Sequence, residues 1–86
     1  MYGGRDESVT VRVINDKVGI FLDRFGKDIS IFKADVNHVD IRFKAAISGQ
    51  FFGWIFGLGE DVTIIGPKSV VDEAKEIAKK LYSQYK

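Results

Sequence analysis

The chain has 86 residues, no cysteine and a near balance of charge, with 13 Lys+Arg against 12 Asp+Glu for a formal net charge of +1. The length allows one small domain that buries about 60–65% of its unfolded surface, and the absent cysteines exclude disulfides, thiolate zinc sites and cysteine catalysis. Near-neutrality gives no reason to expect nucleic-acid binding driven by net charge, and no apolar run approaches the roughly 18 residues of a membrane span.

Residues 1–7, Gly-rich and charged, read as a flexible lead-in or linker stub without the apolar core of a signal peptide, so a cytoplasmic location is expected. From Ser8 the pattern has period two, with Val9, Val11 and Val13 alternating with Thr10, Arg12 and Ile14 as in a half-buried strand. Asn15-Asp16 then offers a helix cap. Val18, Phe21, Leu22 and Phe25 follow at i, i+3, i+4, i+7, the stripe of an amphipathic helix, which Gly26 closes with a left-handed cap.

A second strand is expected over Asp28–Asp35, with Ile29 and Ile31 on one face and Ser30 and Phe32 on the other. The polar segment 35–38 is a turn, and His38–Ile47 is the clearest strand in the chain. There Val39, Ile41, Phe43, Ala45 and Ile47 oppose His38, Asp40, Arg42 and Lys44, so the two strands should pair as a hairpin.

Ser48 caps a helix that runs to about Leu58 and stops at Gly59. Phe51, Phe52, Trp54, Ile55, Phe56 and Leu58 leave it almost no polar face, and Gly49, Gly53 and Gly57 recur every four residues. Such a helix should be buried on more than one side, with the glycine stripe allowing close approach. Too short to span a bilayer, it points to a subunit or domain interface built from Phe51, Phe52, Trp54 and Phe56. Asp61–Ile65 forms a fourth strand, stopped by Gly66-Pro67. Ser69–Tyr85 is a terminal helix with the apolar stripe Val70, Ala74, Ile77, Ala78, Leu81, Tyr85, and with Ser69 and Asp72 in a capping-box spacing.

Strand, helix, strand, strand, helix, strand, helix is the order of an α+β, ferredoxin-like βαββαβ fold. It has a four-stranded antiparallel sheet and one added C-terminal helix.

Catalytic and cofactor motifs are weak. Gly57-Leu58-Gly59 lacks the third glycine of a dinucleotide loop and lies after a helix rather than after a strand. His38, the single histidine, reads as a solvated turn residue, and Ser48 and Ser69 read as caps rather than nucleophiles. No metal, cofactor or enzymatic activity is expected. The strand alternation, however, places Arg12, Arg42 and Lys44 with Phe32 on the open face of the sheet. An aromatic ring among basic groups can stack bases or hold an anionic effector, and the competing reading is a solvated face with Asp40 pairing Arg42 or Lys44.

Several segments together carry a family resemblance. They are Val9-Thr10-Val11-Arg12-Val13, Asp23-Arg24-Phe25-Gly26, the run from Ser48 to Gly59, Val62 to Pro67, and the helix ending Leu81-Tyr82-Ser83-Gln84-Tyr85. Residues 8–86 resemble the WCX domain, the C-terminal extension of WYL-domain bacterial transcriptional regulators. The resemblance implies a non-enzymatic, effector-sensing and oligomerising part of a homodimeric regulator. Its DNA contacts would lie in a winged-helix domain and its WYL barrel elsewhere, neither present in this chain, and in some members the effector is thought to be single-stranded nucleic acid. Arg12 and Arg42 are the effector candidates, on the face argument alone.

Overall fold

The computed structural model describes residues 5–86 and contains four strands in one antiparallel sheet with three α-helices. The strands are β1 (Asp6–Ile14), β2 (Ser30–Lys33), β3 (His38–Ala46) and β4 (Val62–Gly66), and the helices are α1 (Val18–Phe25), α2 (Gly49–Gly57) and α3 (Lys68–Tyr85). The order across the sheet is β2-β3-β1-β4, so the two crossovers through α1 and α2 place consecutive strands apart, as the ferredoxin-like arrangement requires. Strand β1 begins at Asp6, and Asp6 and Glu7 pair with Ala46 and Ala45 within the segment 1–7 expected as a lead-in. Residues 1–4 of that segment lie outside the described residues.

The alternation reads out directly as burial. Val9, Val11 and Val13 are fully buried and sit opposite Phe43, Ile41 and Val39, while Val11 and Val13 also face Ile64 and Val62 on β4. Phe21 from α1 and Phe51, Phe52 and Ile55 from α2 close this surface, and Val70 of α3 joins them. Rings meet at 4.5 Å between Phe25 and Phe43, 5.6 Å between Phe21 and Phe43, and 5.2 Å between Phe21 and Trp54. Burying a side chain of this size contributes about 1.5–3 kcal/mol, and well-placed ring pairs add about 0.5–1.5 kcal/mol.

Several local expectations are corrected. Asn15 caps no helix. Its amide Nδ2 donates to the Val36 carbonyl at 3.0 Å and its backbone N–H donates to Asn37, tying the end of β1 to the β2–β3 turn. Strand β2 is four residues long and exposed throughout, because it is the sheet edge and α1 leaves Ile31 uncovered. Helix α3 starts at Lys68 with Pro67 at its cap, so the Ser69–Asp72 box does not form, and Lys68 pairs with Asp72 at 3.0 Å instead. Ser48 does cap α2, its Oγ accepting from the Phe51 N–H at 3.3 Å. The glycine stripe of α2 faces solvent, with nothing within 4 Å of a Cβ added at Gly49, Gly53 or Gly57.

One substitution therefore has opposite signs at two glycines. Gly53→Ala in the exposed middle of α2 is expected to raise stability by about 0.5–1 kcal/mol. Gly59→Ala, at φ +77°, is expected to lower it, because a Cβ there strains the backbone. Paired urea-unfolding curves check both signs.

Candidate anion and subunit surfaces

The open face of the sheet is built by register. Thr10 lies across from Arg42, Arg12 across from Asp40 and Ser8 across from Lys44 on the β1–β3 ladder, and Ser30 and Phe32 lie across from Arg42 and Asp40 on β2–β3. The structure therefore brings Arg12, Phe32, Arg42 and Lys44 onto one face, as the alternation predicts. It does not leave them equivalent. Arg12 is held in a two-pronged pair with Asp40, Nε to Oδ1 at 2.8 Å and Nη2 to Oδ2 at 3.1 Å. Asp40 thus spends its charge on Arg12 rather than on Arg42 or Lys44.

Phe32 is 52% exposed and carries the Arg42 guanidinium 6.0 Å from its ring centroid, diagonal to it across the β2–β3 ladder. Arg24, which strand alternation does not place on this face, completes the basic set: its guanidinium lies 4.6 Å over the Trp54 ring. Among the described residues Arg24, Arg42 and Lys44 make no ion pair. They share the rim of a groove of about 570 Å³ lined also by Ser8, Phe25, Asp28, Ser30 and Phe43. The groove adjoins a second of about 290 Å³ that shares Arg24, Phe25 and Lys44 and reaches Ala46, Ser48 and Gln50.

The proposed interface residues separate. Phe51 and Phe52 are buried in the domain's own core, and Trp54 is half-buried against Phe21 and Phe25, so these three face inward rather than toward another subunit. The reason is geometric. The all-apolar helix uses one side for the sheet and a second for α1, and its solvent side is filled by glycines. Phe56 alone of the four remains exposed, at the wall of an apolar groove of about 380 Å³ formed with Val62, Ile64, Val71, Ala74 and Ala78. Beyond that groove the apolar stripe of α3 leaves the core. Val70 is buried, but Ala78, Leu81 and Tyr85 are exposed, Tyr85 at 81%.

Two carboxylates are perturbed. The Arg12 guanidinium holds the Asp40 carboxyl below the usual range. His38, followed by the Asn37 backbone N–H, does the same for Asp35, with His38 Nδ1 lying 2.9 Å from Asp35 Oδ1. His38 is thus a turn-locking residue beside one carboxylate. Among the described residues no three His, Cys, Asp or Glu side chains gather as metal ligands, and no helix is long and apolar enough to cross a membrane.

The family model for the WCX domain matches residues 5–82. A search of curated proteins found no match.

A carboxylate whose proton affinity falls on folding contributes stability above its ordinary titration, and that contribution is lost as pH falls through the depressed folded value. The stability difference between the native chain and Asp40→Asn is therefore expected to be level above about pH 5 and to narrow progressively as pH falls below about 4. Urea unfolding across that range measures it.

Proposed function

The chain belongs to the WCX domain family, a regulator-associated domain rather than a catalytic one, and on that premise we propose that it serves as the subunit-joining, effector-sensing end of a WYL-type transcriptional regulator. The observation that carries subunit joining is the unpartnered stripe of α3. Val71, Ala74, Lys75 and Ala78 line the groove beside α2 and β4, and at 100° per residue Leu81, Tyr82 and Tyr85 continue the same side into solvent. Contiguous apolar surface of this kind marks an interaction site.

A second copy of α3, laid antiparallel, would place Leu81 and Tyr85 against the small residues Ala74 and Ala78, in a self-complementary pairing of the kind that a two-fold dimer needs. Operator binding would be carried by a winged-helix part that these residues do not contain.

Sedimentation equilibrium of the domain tests the reading. A homodimer is expected, and Leu81→Asp with Tyr85→Asp should raise its dissociation constant at least tenfold with unchanged circular dichroism, since both side chains are exposed in the single copy. A native chain that stays monomeric at millimolar concentration removes subunit joining by this surface.

Effector sensing is supported by a different observation: Phe32 lies open beside Arg42 on the sheet face. An exposed ring with an unpaired cation is a stacking platform for a base of single-stranded nucleic acid or for a small anionic effector. Titration of a labelled dT oligonucleotide at two salt concentrations should show binding that weakens as salt rises, and Arg42→Ala should weaken it further. Absence of binding at low salt sinks this part of the reading.

A further inference from the structure

The sheet is incomplete at one edge. Strand β3 runs to Ala46, but β2 begins at Ser30, opposite Arg42, so β3 beyond Arg42 has no strand beside it on that side. The direction of the main-chain groups follows from two hydrogen bonds. The Ile47 N–H donates to the Arg5 carbonyl at 2.8 Å, so the odd-numbered residues of this strand turn their peptide groups toward β1. The Ala34 N–H donates to the His38 carbonyl at 3.1 Å, so the even-numbered residues turn theirs toward β2. Lys44 and Ala46 therefore aim an N–H and a C=O each into the lane that β2 leaves vacant. Among the described residues no protein group takes up those hydrogen bonds.

That lane coincides with the two adjoining grooves. They follow β3 from Arg42 to Ala46 and on to Ser48, and Arg24, Arg42 and Lys44 stand along them without a carboxylate partner. Sheet edges with free ladder groups bind extended chains, and the side chains flanking the lane choose which chain. Here the flanking charge is positive, with Asp28 the one opposing carboxylate in the lining.

We propose that an acidic, extended peptide segment of a partner protein adds as a strand alongside Lys44–Ala46, its main chain completing the ladder and its carboxylates meeting Arg24, Arg42 and Lys44. The surface is separate from the α3 stripe, which flanks β4 at the far edge of the sheet, so the inference stands apart from subunit joining. Arg24 and Arg42 are suited to the role because each guanidinium rests on a ring, Trp54 or Phe32, leaving its edge donors outward for a carboxylate. The peptide groups of Lys44 and Ala46 supply the directional part, which a mobile oligoanion would not need.

The probe is a blocked heptapeptide of alternating glutamate and valine, titrated into the 15N-labelled 86-residue chain. Saturable shifts are expected at the Lys44 and Ala46 amides. Arg24→Glu with Lys44→Glu should raise the dissociation constant at least tenfold, as should N-methylation of alternate peptide nitrogens, which removes ladder hydrogen bonds and keeps the charge. Lys44→Glu alone, at an exposed position, keeps the test interpretable if the double variant unfolds, and should weaken binding at least threefold. The proposal is overturned if the N-methylated peptide binds as tightly as its parent. It is equally overturned if neither amide shifts, or if a dT oligonucleotide moves both amides while the peptide moves neither.

Discussion

The aromatic contact between α1, β3 and α2 is the constraint on which the rest of the molecule depends. Phe43 on the central part of the sheet touches Phe21 and Phe25 from one helix and Phe51 from the other, and Trp54 closes the ring of contacts against Phe21 and Phe25. Phe21 is the largest fully buried side chain, and Phe43 and Phe51 are buried beside it, so this cluster fixes how both crossover helices lie on the sheet. Truncating a ring in such a cluster costs about 3–5 kcal/mol, a large part of a small domain's whole stability.

The consequences run outward from that cluster. Rotating α2 to bury Phe51, Phe52 and Ile55 turns Gly49, Gly53 and Gly57 to solvent and leaves Phe56 at the edge of the groove shared with α3. Placing Trp54 against α1 also gives Arg24 a ring to lie on, which sets a cation at the rim of the sheet groove. Core packing and surface chemistry are thus linked through one side chain: the indole that helps seal the interior also holds a guanidinium outward.

Much of this is legible in the sequence. Alternation along β1 and β3 assigns Val9, Val11, Val13, Ile41 and Phe43 to the core and Arg12, Arg42 and Lys44 to the open face, because a strand has only two sides. What alternation does not encode is which opposite charges meet. Arg12 and Asp40 pair because the β1–β3 register sets them side by side, and register is a property of two strands. The orientation of α2 was illegible for a related reason. With apolar residues all round, no stripe marks the inward side, and only the neighbouring helix decides it. Arg24 was invisible because its partner ring is thirty positions away. The cap at Ser69 failed locally, since Pro67 opens the helix earlier and its carbonyl accepts from both Val70 and Val71.

The strand order β2-β3-β1-β4 then separates the two surfaces that remain unsatisfied. At one edge α3 flanks β4 and carries its apolar stripe past the end of the core; near the other, the short β2 exposes the last residues of β3 among unpaired cations. One surface is apolar, whereas the other is basic with directional main-chain donors. These are different chemistries. On the proposed reading the first takes an identical chain and the second a strand of opposite charge, and the two lie toward opposite edges of the sheet. A domain that joined subunits through α3, as proposed, would leave free the edge at which β3 has no neighbouring strand.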